Sequence, residues 1–226
     1  MFRNLALSLL TSFLFCFAFP PLNLSFLAYF CIIPFFYLLE NKSFRESFPW
    51  GFITGLFVSL NTGLLVPFET LADLFFSLFI YPLYYALFAM LHVFTKERLP
   101  QFYILLAPVI WSTVELLKSY GQIGYARFSL GLTQPQYLLS FQEPYLLFVF
   151  TISIWVVLLN ALLYLVLKNF NNKRKSAFLL VTSLLLFGLP WFCSKKQAPK
   201  LEDIRDRMVS TNREGIFLKY ALINSA

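Results

Sequence analysis

"YLLFVFTISIWVVLLNALLYLVL", Tyr145 to Leu167, contains no charged residue and one strongly polar one, Asn160. A helix of about 20 apolar residues crosses the hydrocarbon core of a bilayer, so this stretch reads as a membrane span. Outward from it, six further apolar runs read the same way. They are Leu5 to Phe19, Leu22 to Leu39, Phe48 to Val66, Leu71 to Phe94, Phe102 to Lys118, and Ala177 to Cys193. The expected fold class is therefore all-α: a polytopic transmembrane helical bundle of about seven membrane helices. A transmembrane barrel would show segments of about ten alternating residues, whereas these runs are unbroken. Composition agrees. The 226 residues are 59% hydrophobic and 13% charged, with 29 phenylalanines, against about a quarter charged in ordinary soluble domains.

The first run follows Arg3 and has the look of a signal peptide, but no small-x-small cleavage site follows it, and Phe19-Pro20-Pro21 leads straight into the second run. Phe15 before Cys16 also excludes a lipoprotein box. The first two runs are expected to form a tight helical hairpin. Pro34, Pro82 and Pro108 interrupt other runs, as neighbouring helices in a bundle allow. Basic residues set the orientation. With the N-terminus cytoplasmic, the inner segments carry Arg3, Lys42, Arg45, Lys96, Arg98, Lys168, Lys173, Arg174 and Lys175, and the outer loops carry Lys118 and Arg127. Seven crossings then place the polar tail outside. Two regions follow: a transmembrane domain at 1–193 and an extracytoplasmic polar tail at 194–226.

The net charge of +7 fits cytoplasmic loops of a membrane protein. No basic run interleaves with aromatics as a nucleic-acid binder requires, so no nucleic-acid partner is expected. Cys16 and Cys31 lie in apolar runs and Cys193 ends one. With no CxxC and one histidine, neither a metal site nor a cofactor is indicated. His92 reads as an interfacial polar tip at a helix end. Glu69 and Asp73 read as acidic caps at a helix N-terminus, and Asn160 as an interhelical hydrogen-bonding residue. No nucleophile stands beside a base, so no catalytic residue is assigned.

The segment richest in polar chemistry is "WSTVELLKSYGQIGYARFSLGLTQ", Trp111 to Gln134. Trp111, Glu115 and Lys118 fall on one helix face, and Glu115 and Lys118 are spaced to pair. An ionisable residue inside a membrane helix is a functional candidate; the alternative is a structural ion pair pinning the helix end, with Lys118 reaching outward. Gly124, Gly131 and Gln134 then space a polar loop, in which Tyr125, Phe128 and Leu130 would dip into the interface. Long loops with apolar residues of their own are often functional, yet a plain connector would read the same way. The candidate substrate- or lipid-facing residues are Trp111, Glu115, Lys118, Gly124, Arg127, Gly131 and Gln134.

These features resemble the apolipoprotein N-acyltransferase family. Ala18-Phe19-Pro20-Pro21 and Asn23 are similar to its A-F-x-P turn between the first two helices. Trp111, Glu115, Leu117 and Lys118 resemble its W-x-x-x-E-x-L-R, with lysine for arginine. Gly124, Gly131 and Gln134 match the frame of G-F-P-W-x-x-x-G-Y-S-Q, while Ala126 replaces proline, Arg127 tryptophan, and Leu132-Thr133 tyrosine-serine. Asn160-Ala161-Leu162-Leu163 looks like its N-A-L-L. The resemblance spans residues 1 to 193.

The resemblance implies a membrane bundle of the bacterial cytoplasmic (inner) membrane, serving lipoprotein biosynthesis by phospholipid-to-lipoprotein N-acyl transfer. The family's Glu-Lys-Cys triad lies in a nitrilase-like domain expected to be missing here, so the chain is expected to be inactive alone. Implied partners are membrane phospholipid, a lipoprotein substrate when a catalytic domain is supplied, and a separately encoded nitrilase-like domain. Arg127 would turn an aromatic contact into phosphate attraction. The alternative is a non-catalytic membrane scaffold or lipid-binding partner of another enzyme. A small-solute transporter is a weaker reading, because its broken helices in corresponding halves are not evident.

Overall fold

The computed structural model describes residues 1–19, 21–65, 70–119, 129–134 and 145–194. Among them the chain is helical, with no strand. Each of the seven apolar runs carries helix. Helix α1 is Phe2–Phe17, and the second run holds a 3-10 turn, Ser25–Tyr29, followed by α2, Ile33–Leu39. Then come α3, Phe44–Leu65, α4, Leu71–Phe75, and α5, Tyr81–Arg98. A π-helical turn, Phe76–Ile80, joins the last two. Helix α6 is Tyr103–Ser119, α7 Tyr145–Lys168 and α8 Lys173–Ser194. Among the described residues two segments are long and apolar enough to cross a membrane, Phe76–Arg98 and Val149–Lys168.

The departures from simple helices have local causes. Asn23 turns the chain after α1 with φ of 52°, a left-handed conformation that asparagine tolerates better than most residues. Pro82, in the first turn of α5, has no N–H to give and crowds the preceding turn, and the π turn lies directly before it. Helix α3 starts at Phe44, ahead of the apolar run, because Glu46 accepts from the Ser43 N–H and hydroxyl at 3.0 Å each. A carboxylate reaching back over the first turn satisfies donors the helix cannot.

The second run is not one helix. Between Tyr29 and Ile33 its backbone leaves the α-helical pattern, and Asn160 takes over its hydrogen bonding. The Ile32 N–H donates to Asn160 Oδ1 at 2.9 Å, while Nδ2 donates to the carbonyls of Ala28 at 2.8 Å and Val156 at 2.9 Å. Asn160 is fully buried. It thus makes the interhelical bonds its position in α7 suggested, and it makes them to main chain. Asn160→Ala is expected to strand Ile32 N–H and Ala28 C=O away from solvent and to cost about 3 kcal/mol. A lowered unfolding midpoint in detergent would register this, and Asn160→Asp should recover part of it through the retained acceptor.

Helices α3 and α5 approach closely because α3 carries glycines one turn apart. A Cβ on Gly51 would stand 2.7 Å from Ala86 Cα, and one on Gly55 2.6 Å from Pro82 Cα. Both obstacles are backbone, which cannot step aside as a side-chain tip can. Small residues at such crossings let helix backbones touch without a hydrophobic driving force. Gly55→Val should force the pair apart at a cost of about 2 kcal/mol, read as a lower melting temperature. Between α1 and α3 the contact is polar: Ser8 Oγ lies 2.9 Å from Thr54 Oγ1, and Asn61 Nδ2 donates to Ser12 Oγ at 2.6 Å.

The core is aromatic. Trp111 packs edge-on against Tyr85 and Phe88, with ring centroids 5.4 and 4.9 Å apart. His92 continues this stack. It was expected as an interfacial tip, but it is 2% exposed and sits among Phe36, Phe88 and Tyr103. The reason is register: His92 falls on the face of α5 that also carries Phe88 and Tyr85, which α2 and α6 cover. At the same end, Lys96 Nζ donates to the carbonyls of Leu39, Glu40 and Lys42 at 3.3, 3.0 and 3.0 Å. A lysine there satisfies carbonyls that the end of α2 leaves unpaired. Lys168 forms an ion pair with Glu40.

Candidate functional site

Glu115 lies on α6 and is 3% exposed. One carboxylate oxygen, Oε1, accepts two hydrogen bonds of 2.8 Å. One comes from Trp111 Nε1, a helical turn earlier, and the other from the backbone N–H of Leu130. The first follows from i, i+4 spacing. The second crosses to a 3-10 turn, Leu130–Thr133, fifteen residues on. A buried carboxylate is stable only when it is paired or hydrogen-bonded, and these two donors are neutral dipoles on different elements. Glu115 therefore ties the turn to the helix through main chain.

Around that tie the turn is seated against two further elements. Gly131 N–H donates to Ser153 Oγ on α7 at 2.8 Å. A Cβ at Gly131 would fall 2.1 Å from the Val149 carbonyl oxygen, so only glycine lets the turn lie against α7. Thr133 Oγ1 donates back to Leu130 O at 2.7 Å. Gln134 is fully buried and bridges to the broken second run: its Oε1 accepts from the Tyr29 hydroxyl at 2.8 Å, and its Nε2 donates to Ser25 O at 3.0 Å. Tyr29 packs edge-on against Trp155 and Phe187. The 25–29 turn, the 130–133 turn, α6 and α7 are thereby joined by side chains that hold main chain.

Lys118 departs from expectation. It was expected to pair with Glu115, but the two side chains make no ion pair within 4 Å. Lys118 is 6% exposed, and its Nζ rests over the Tyr81 ring, 4.9 Å from the centroid. The carboxylate is instead turned toward Trp111 and Leu130. Glu115 Oε2 and the Tyr85 hydroxyl are buried. Tyr85, Phe88, Trp111, Glu115 and Lys118 line a cavity of about 20 Å³.

Of the seven candidate residues, the structure brings together Trp111, Glu115, Lys118, Gly131 and Gln134. Gly124 and Arg127 lie outside the described residues, as do Tyr125, Phe128, Glu69 and the side chains of Asp73 and Cys193. Leu130, expected at the interface, is fully buried. Sequence reasoning passed over Ser153, Tyr29 and Tyr85. For Ser153 a signal existed: it stands seven residues before Asn160, on the same face of an otherwise apolar helix. Among the described residues no group of His, Cys, Asp and Glu could hold a metal.

Comparison with known proteins bears on this cluster. No curated protein matches the chain. A family profile, that of the apolipoprotein N-acyltransferase N-terminal domain, matches residues 11–162. The matched region is well over half of the 226 residues and contains every residue of the Glu115 cluster from Ser25 to Asn160. The chain belongs to the apolipoprotein N-acyltransferase family, through that family's N-terminal domain.

Proposed function

We propose that this chain is the multi-pass membrane domain of an N-acyl transfer system for lipoproteins, placed in the bacterial inner membrane with its N-terminus in the cytoplasm. The fifth of seven crossings brings the Trp111–Gln134 end to the outer face, where the domain holds phospholipid and lipoprotein for a cysteine-based catalytic unit. The single observation that carries this reading is the family match over residues 11–162. It is supported by the exposure of large apolar side chains on the outer helices, such as Leu9 and Phe13 on α1 and Phe178, Leu184 and Leu185 on α8. Such a surface is costly in water and natural in lipid.

The transfer itself takes two steps. A thiolate attacks a phospholipid ester carbonyl, forming a thioester and releasing a lysophospholipid. The N-terminal amine of the lipoprotein then attacks the thioester, forming an amide and returning the thiol. The two cysteines described, Cys16 and Cys31, are 2% and 0% exposed, so neither offers sulfur to a lipid ester. The chain on its own is proposed not to transfer acyl groups. It serves instead with a nitrilase-like domain bearing the Glu-Lys-Cys triad, supplied alongside it or separately.

The test is reconstitution in phospholipid vesicles with a diacylated lipopeptide. The chain alone should give no triacylated product, and product should form when a catalytic domain of this family is added. Transfer by the chain alone would overturn the division of labour. Failure to associate with the catalytic domain, together with specific lipid binding, would favour a free-standing scaffold. Thiol labelling of a cysteine introduced near Ala226 should occur only from the outer side.

A further inference from the structure

One end of the bundle carries positive charge that its own carboxylates do not balance. Lys96 of α5 binds carbonyls at the end of α2, Lys168 of α7 pairs with Glu40, and the Phe44 N–H donates to Glu97 Oε1 at 3.3 Å. Helix α1 runs parallel to α3, because Ser8 meets Thr54 and Ser12 meets Asn61, so Arg3 lies at the same end. Ser176 Oγ donates to Val166 O at 3.4 Å, which brings the start of α8 there too. The nine basic residues of the inner segments thus share this end with three carboxylates, Glu40, Glu46 and Glu97. All three are already engaged, with Lys168, Ser43 and the Phe44 N–H respectively.

The excess is densest in Lys173-Arg174-Lys175, which opens α8. All three side chains are exposed, and none makes an ion pair with a described residue. They do not serve the helix they begin: cations in a first turn oppose its dipole, and α8 has no acidic residue there to offset them. Phe170 and Phe178 flank the three in sequence and are 73% and 71% exposed. We propose that the segment from Phe170 to Phe178 is a docking surface for anionic phospholipid, with the three cations on the headgroup phosphates and the two phenyl rings among the acyl chains. The proposal rests on the reading of the chain as a membrane domain. Charge and apolar surface side by side select the partner. Free phosphate or nucleic acid would meet the cations and leave two phenyl rings in water. A zwitterionic lipid brings an ammonium of its own, which the three cations repel. A lipid of net negative charge satisfies both surfaces, and Arg174 offers the planar fork that fits a phosphate. Basic clusters beside membrane helices attract such lipids over about a Debye length.

The test uses the intact chain in phosphatidylcholine nanodiscs carrying a trace of spin-labelled phospholipid. Electron paramagnetic resonance measures the share of labelled lipid immobilised at the protein surface. At low salt, labelled phosphatidylglycerol should be held several-fold more strongly than labelled phosphatidylcholine, and about 1 M salt should erase most of that preference. Replacing the cluster (Lys173→Gln, Arg174→Gln and Lys175→Gln together) should remove more than half of it, whereas Lys173→Arg with Lys175→Arg should keep it. Equal retention of the two lipids by the natural chain, or full preference in the glutamine variant, would overturn the proposal. Inorganic phosphate should compete no better than chloride at equal ionic strength, and stronger competition would replace the lipid surface with a phosphate site. Immobilised lipid with no headgroup preference would overturn this proposal and leave the membrane reading standing. A chain that immobilises no lipid would overturn both.

Discussion

Alanine at Gly131 is expected to unseat the Leu130–Thr133 turn and to lower stability by about 3 kcal/mol. The added Cβ would lie 2.1 Å from the Val149 carbonyl oxygen and 2.9 Å from the carbonyl carbon. Both atoms belong to the backbone of α7, whose own hydrogen bonds fix them, so relief requires the turn to lift. Lifting it stretches the bonds from Gly131 N–H to Ser153 and from Leu130 N–H to Glu115. One methyl group therefore disturbs steric fit and two buried hydrogen bonds together. Thermal unfolding in detergent measures the effect. Thr133→Ala serves as control, because it removes only a hydroxyl bonded within the turn and should cost about 1 kcal/mol. Similar melting temperatures for the two variants would contradict the seating described here.

Glu115→Ala is expected to cost about 3–5 kcal/mol, the range for breaking a buried charge arrangement by deleting one member. Three groups lose their partner at once: Trp111 Nε1, Leu130 N–H, and the nearly buried Lys118, whose compensating charge disappears. Glu115→Gln keeps an oxygen for Trp111 and Leu130 but removes the charge facing Lys118. It should fall between the natural protein and the alanine variant. The double variant Glu115→Ala, Lys118→Met should be more stable than Glu115→Ala alone, because it removes the stranded cation. Chemical denaturation midpoints give the order, and a glutamine variant no better than alanine would show that charge alone matters.

The helices were legible because about 20 apolar residues in a row leave few structural options, and each of the seven runs carries helix. What the runs could not convey is how they bond to one another. The break in the second run depends on Asn160, more than a hundred residues later, and no local signal near Ile32 announces it. Glu115 was visible as an anomaly, yet its decisive partner is a main-chain N–H, and every residue but proline has one. Gly131 was visible as a loop glycine that permits close backbone approach, but the backbone it approaches, the Val149 carbonyl, was not. Spacing suggested a direct Glu115–Lys118 pair, and competition from Trp111 and Leu130 for the carboxylate prevents it. His92 was misplaced because its position near the end of an apolar run conceals which face it occupies.

Amide hydrogen exchange on Glu115→Ala tests the central claim, that a buried carboxylate anchors the 130–133 turn through its backbone. Exchange reports local opening separately from global unfolding. The amides of Leu130, Gly131 and Gln134 should exchange much faster than in the natural chain, while those of α3 and α5 around Gly55 and Phe88 keep their protection. Unchanged protection at Leu130 and Gly131, or a uniform loss across all helices, would contradict it.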